Sequence, residues 1–189
     1  FADDEIEEYN KKIDNNEINK TIETSANLND EPKINSRSAV VIDRKSKNII
    51  YGKNENVKKA MASTTKIMTA MVVIQNTNLN NIVDISKKAA GTGGSRLGLK
   101  AGDKITVKDL LYGLLLRSGN DCAVALAEYV AGSVPEFSNL MNQNAQMLGL
   151  NNTHFVTPHG LDEEEHYTTA YELAILADYA LNNEVFAQI

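Results

Sequence analysis

Ala62-Ser63-Thr64-Thr65-Lys66-Ile67-Met68-Thr69 opens a stretch in which Lys66 is the only charged residue between positions 60 and 83. A lone cation in an apolar segment is costly to desolvate, so its presence asks for a chemical reason. Read as a helix that begins near Ser63, the segment puts positions i and i+3 on one face, and the Ser63 hydroxyl and Lys66 amine stand side by side in its first turn. Serine is a weak nucleophile at neutral pH, and a lysine among apolar side chains has a lowered pKa that lets its neutral amine take the serine proton. The competing reading is a lysine whose head reaches water, on a helix that Ser63 merely caps. Ser-x-x-Lys alone is too short a pattern to decide between them.

A second element adds weight. Asp109-Leu-Leu-Tyr-Gly-Leu-Leu-Leu-Arg-Ser118-Gly119-Asn120-Asp121-Cys122 reads as an apolar helix, a polar break and the start of another apolar helix. Gly119 permits a tight reversal, Ser118 offers a second hydroxyl for relaying a proton, and Asn120 offers both donor and acceptor to an amide substrate. An ordinary interhelical turn, with Asn120 or Asp121 capping the next helix, would use the same residues. Together, Ser63-Thr-Thr-Lys66 and Ser118-Gly-Asn120 match the first two of the three motifs of β-lactamases and penicillin-binding proteins, the second of which is also found as Ser-Asp-Asn. Residues 62–69, 97–103, 109–127 and 153–162 closely resemble the serine D-Ala-D-Ala carboxypeptidases, the low-molecular-mass penicillin-binding proteins. Thr153-His-Phe155 and His159-Gly-Leu-Asp162 follow in that family's order, and the resemblance runs from about residue 38 to residue 189.

The resemblance implies an α+β fold of the β-lactamase/transpeptidase type, in which an antiparallel sheet of about five strands packs against a helical lobe with the active site between them. It implies Ser63 as nucleophile, Lys66 as its base, Ser118 as proton relay to the departing D-alanine, and Asn120 as the group that holds the substrate amide and orients Lys66. The Ser63 N–H would supply half of an oxyanion hole. The expected substrates are peptidoglycan stem peptides ending in D-Ala-D-Ala, β-lactams would acylate the same serine, and no cofactor is expected. An extracytoplasmic location follows from the same resemblance. No segment like the deacylating glutamate motif of class A β-lactamases is found, which favours a carboxypeptidase over a lactamase.

The third motif, Lys-Thr-Gly or Lys-Ser-Gly, occurs nowhere in the 189 residues. In the family it lies on a later strand, so the sequence reads as the N-terminal part of a longer enzyme whose C-terminal sheet strands are missing from this chain. These residues alone are then expected to be inactive, with a C-terminal segment or a second copy needed to complete the sheet. Two other readings stay open: a cell-wall sensor that keeps Ser63 and Lys66 without hydrolysis, and a helical interaction domain in which both motifs are coincidental.

Composition fits a globular domain, with 42% hydrophobic and 23% charged residues. The charge is uneven: residues 1–35 hold ten acids against four lysines, which accounts for the whole net charge of −6. This segment reads as an acidic flexible leader, in which Ile6, Tyr9 and Ile13 could form one weak amphipathic turn set, and residues 36–189 as the catalytic portion. A basic footprint for nucleic acid is absent. The single cysteine, Cys122, cannot form an internal disulfide, and its place beside Asn120 suggests a site sensitive to thiol reagents. His154, His159 and His166 are not spaced to share a helical face, so no metal site is expected.

Elsewhere, Ser38-Ala-Val-Val-Ile-Asp43 and Asn48-Ile-Ile-Tyr51 read as a hairpin across a polar turn, with helices following from Met61. Thr106 to Asp109 and Thr169 to Glu172 look like capping boxes, Pro135 like a first helical position, and Gly149 like a helix end. Gly91-Thr-Gly-Gly-Ser-Arg96 lacks the complete dinucleotide and phosphate-loop patterns and reads as a surface loop bordering the cleft.

Overall fold

A computed structural model describes residues 32–161 and 163–189, and most of the leader, with Ile6, Tyr9 and Ile13, lies outside the described residues. The expected hairpin is formed by β1 (Ala39–Ile42) and β2 (Ile49–Lys53), antiparallel, with Ala39 opposite Lys53 and a register shift between Val41 and Ile42. Asp43 shapes the turn: its carboxylate accepts from the backbone N–H groups of Lys45 and Ser46 and from the Ser46 hydroxyl. The Ser46 backbone N–H is the main influence that lowers the Asp43 pKa. Lys47 then takes a left-handed conformation, φ 59°, and closes the reversal.

A 3₁₀ turn, Ala62–Thr65, leads into α1 (Lys66–Asn76), which is followed by β3 (Ile82–Asp84), the short α2 (Lys87–Ala90) and β4 (Lys104–Thr106). Five more helices complete the chain: α3 (Val107–Leu116), α4 (Asn120–Ala131), α5 (Val134–Met147), α6 (Ala170–Leu181) and α7 (Glu184–Gln188). Helix α1 is the hub. It contains neither glycine nor proline and is apolar around most of its circumference, the pattern of a fully buried helix. It packs against α3, α4, α5, α6 and α7, with Met68, Ala70, Met71, Val72 and Val73 at most 1% exposed. Each such side chain contributes about 1.5–3 kcal/mol by leaving water, and Ala70 contributes less. The site helix is thus anchored in the core from its first turn onward.

Three departures from the sequence reading have physical causes. Strands β3 and β4 pair antiparallel as a separate two-stranded sheet, Ile82 opposite Thr106. Three residues each are too few to show a period of two. The described residues therefore carry two small sheets, of which the β1–β2 hairpin is the part of the expected antiparallel sheet that falls within this chain. Pro135 occupies the second helical position of α5, because Ser133 is the cap and accepts from Glu136 N–H. The Thr169 box is only half made: Thr169 accepts from Glu172 N–H, but the Glu172 carboxylate turns to the backbone and side-chain N–H of Asn152 and the Thr153 hydroxyl. Glycine 149 does end α5, at φ 71°. The hairpin is latched onto α6 through Arg44 and Lys47, which both reach Asp178. Ile42 packs against the core, whereas Val41, Ile49 and Ile50 are 51%, 45% and 70% exposed.

Candidate active site

The geometry that Ser-x-x-Lys implied is formed, although the first turn is 3₁₀ rather than α. Ala62 has φ 47°, in the left-handed region, and lifts the chain so that Ser63 stands exposed at the mouth of the turn. A non-glycine residue there costs about 1–2 kcal/mol, so the surroundings must hold it. Lys66 reaches back with its Nζ 3.0 Å from Ser63 Oγ. From the loop between α3 and α4, Ser118 donates to the same oxygen at 3.0 Å, itself at φ 54°. One hydroxyl is therefore bracketed by an amine and a second hydroxyl, brought together from positions 55 residues apart in the chain.

Lys66 is only 3% exposed, and burial lowers its pKa to about 8. Among the described residues no carboxylate contacts Nζ, which also donates to the backbone carbonyl of His159, at 2.9 Å. Sequence reasoning missed this partner, because a carbonyl oxygen has no residue signature. The His159 side chain is held neutral, its pKa pushed down to about 4 by burial and by the charge of Lys66, and its Nδ1 accepts from Leu161 N–H.

Asn120 is buried at the first position of α4, where its side-chain amide donates to the Gly93 carbonyl and its backbone N–H to the Ser95 carbonyl. The loop at 91–96 does border the site. Gly94, at φ 80°, leaves room for that amide, since a Cβ there would lie 2.6 Å from Asn120 Nδ2. Asn120 and Asp121 do not cap α4, whose cap residue is Gly119. Asp121 accepts from the backbone N–H groups of Leu97, Gly98 and Leu99 instead, pinning the next part of the loop. Burial alone would raise its pKa, but these N–H groups outweigh it and keep the carboxyl below its usual range. Cys122 is fully buried, and burial pushes its thiol up to about 12. A thiol so rarely ionised and so enclosed is a poor target for thiol reagents, contrary to the expectation from its position.

Behind the 3₁₀ turn lies a layer the sequence did not announce. Thr69 of α1 donates to the Pro158 carbonyl, Lys66 to that of His159, and Gly160 is packed so closely that a Cβ would lie 1.8 Å from the Ala62 carbonyl oxygen. His166 is buried beside them, 2.7 Å from the Thr65 hydroxyl through Nε2. The three histidines serve separate purposes: His154 contacts the Glu165 carbonyl through Nδ1, and no group of three or more metal-ligating side chains is found among the described residues.

Comparison with known proteins agrees with this architecture. Residues 25–189 match the peptidase S11 family, D-alanyl-D-alanine carboxypeptidase. The chain is 44% identical over 154 residues to the D-alanyl-D-alanine carboxypeptidase DacF of Bacillus subtilis, covering 79% of this chain and 40% of that protein. It is 38% identical over 173 residues to DacC of Escherichia coli, covering 81% and 43%. Among solved structures, the D-alanyl-D-alanine carboxypeptidase DacD of Francisella tularensis superposes with a TM-score of 0.79 at 40% identity, over 88% of this chain and 41% of the other. Penicillin-binding protein 5 of Haemophilus influenzae gives 0.77 at 35% identity, over 80% and 46%. The chain thus spans about two fifths of the length of these curated relatives. With its α+β architecture and its match over most of the chain, this protein belongs to the peptidase S11 family of D-alanyl-D-alanine carboxypeptidases.

Proposed function

We propose that the protein is a serine-type D-Ala-D-Ala carboxypeptidase that removes the terminal D-alanine from peptidoglycan stem peptides through an acyl-enzyme on Ser63. The observation that carries this reading is the Ser63 hydroxyl, 3.0 Å from both Lys66 Nζ and Ser118 Oγ, beside a lysine whose pKa burial has lowered to about 8. Such an amine is neutral often enough at neutral pH to act as a base.

Neutral Lys66 takes the Ser63 proton as Oγ attacks the carbonyl carbon of the penultimate D-alanine. The oxyanion that forms meets the Ser63 backbone N–H, one of the N–H groups that a helical first turn leaves without an internal partner. The C–N bond then breaks, and a proton passed through Ser118 leaves with the D-alanine amine. Water attacks the ester with Lys66 again taking the proton, and as the bond to Ser63 Oγ breaks Lys66 returns that proton to the oxygen and the shortened peptide departs. Asn120 holds the substrate's amide side, its own amide set by Gly93. A β-lactam, which mimics the acyl-D-Ala-D-Ala backbone, acylates the same oxygen. The reaction takes place outside the cytoplasm, where stem peptides are found. Among the described residues no helix is long and apolar enough to cross a membrane.

The carboxylate of the substrate's terminal D-alanine requires a cationic or hydroxyl-rich receptor. In this proposal a strand bearing Lys-Thr-Gly or Lys-Ser-Gly supplies it, contributed by a segment after residue 189. A strand of the same segment would pair with a free edge of the hairpin. Incubating the full-length protein with a synthetic peptide ending in D-Ala-D-Ala and measuring free D-alanine tests the assignment. Steady release that stops on adding a penicillin supports it, and no release from a folded protein refutes it.

A further inference from the structure

The layer behind Ser63 contains a directional hydrogen-bond chain whose polarity is fixed at one end by backbone. His166, 3% exposed, accepts at Nδ1 from the Val156 N–H at 2.9 Å and lies 3.4 Å from the Thr157 N–H. A backbone N–H can only donate, so Nδ1 is the bare nitrogen and Nε2 carries the proton. Nε2–H then donates to Thr65 Oγ1 at 2.7 Å, which leaves that hydroxyl's own proton to go to the Ala62 carbonyl, also at 2.7 Å. Ala62 is the residue at φ 47° that precedes Ser63, and Gly160 packs closely against both its carbonyl and the Thr65 hydroxyl.

We infer that His166 and Thr65 act as a unit that positions the nucleophile: through the Ala62 carbonyl they hold the left-handed residue that aims Ser63 Oγ between Lys66 and Ser118. Neither touches the reacting atoms. Thr65 is the second of the two residues between Ser63 and Lys66, so the pattern requires more than its two named residues. The inference rests on the functional reading above. Its effect belongs to the acylation step and not to ligand affinity, since the chain lies beneath the turn and away from the exposed side of Ser63. A misplacement of the order of 1 Å in a reacting group is enough to slow a step about 100-fold.

The test is the acylation of the full-length protein by benzylpenicillin, resolved into the non-covalent dissociation constant and the rate of the covalent step. T65V removes the hydroxyl at nearly constant volume, T65S keeps it, and H166N retains an acceptor near the place of Nδ1 while losing the donor at Nε2. T65V and H166N are each expected to slow the covalent step about 10- to 100-fold with the dissociation constant within about threefold. T65S should stay within about threefold of the parent. Because the two residues form one chain, the T65V/H166N double variant should be no more than about threefold slower than the slower single variant. A covalent step unchanged in T65V, a T65S as slow as T65V, or single effects that multiply in the double variant would overturn the inference. If T65V does not fold, slow H166N beside fast T65S still supports it, and equal rates in those two refute it. A parent protein that penicillin never acylates at Ser63 overturns the functional reading itself. An acylated parent with unaffected variants removes only the positioning role.

Discussion

Replacing Lys66 by Arg separates the lysine's charge from its basicity. Arginine keeps a cation near Ser63 but does not lose its proton in any usable pH range. In the parent protein, with a pKa near 8, about half of the Lys66 amine is neutral at pH 8, about a tenth at pH 7 and about a hundredth at pH 6. If the neutral amine is the base, acylation rises about 50-fold between pH 6 and pH 8 and levels off above about pH 9. In K66R the rate falls at least about 1000-fold, within the range that a lost general base commands, and the slope over pH disappears. Acylation by a fluorescent penicillin, followed from about pH 5.5 to 9.5 in full-length parent and variant, measures both. A parent profile flat between pH 6 and 8, or a K66R variant that keeps a tenth of the parent rate, would show that another group takes the Ser63 proton.

The same burial has a cost in stability. A lysine whose folded pKa lies below its unfolded value destabilises the fold most below pH 8, and the penalty fades as pH rises from about 8 towards 10.5. K66M should therefore be inactive yet about 1–2 kcal/mol more stable at pH 7, after allowing for the unpaired His159 carbonyl, as read by urea unfolding; a clear loss of stability would contradict this. G160A places a Cβ against the Ala62 carbonyl at 1.8 Å and at φ 83°, so it should destabilise by about 3 kcal/mol and slow acylation. Acylation at the parent rate would mean that the two segments part freely. E172A removes the acceptor of the Asn152 N–H and Thr153 hydroxyl, and a thermal scan should register a loss of about 2–3 kcal/mol with little change in acylation by penicillin. An unchanged melting temperature would make that network dispensable.

The legible parts were those with a local residue signature. Ser63 and Lys66 are three positions apart, so any helical turn joins them. Ser118-Gly-Asn120 was visible as a polar break between apolar runs, and Thr106 caps α3 on the Asp109 N–H as its spacing implied, with the Asp109 carboxylate bonded to the Thr106 hydroxyl. What stayed hidden depends on backbone and on distant pairing. The His159 carbonyl that holds Lys66 could have come from any residue type. The role of His166 depends on packing that brings positions 65 and 166 together, and a buried histidine gives no sign in sequence of which nitrogen is protonated. Asp121 offered a local cap and took three N–H groups of a loop more than twenty residues upstream instead, because that site satisfies its carboxylate more fully. Strands β3 and β4 were too short for alternation to register.

The central claim is that Ser63 Oγ forms the acyl-enzyme. Incubation of the full-length protein with benzylpenicillin, followed by intact mass and peptide mapping of the adduct, tests it most directly. The account predicts one penicilloyl group per molecule, on the peptide containing Ser63, and no adduct in S63A. An adduct on Ser118 or another residue, or labelling that persists in S63A, would contradict it.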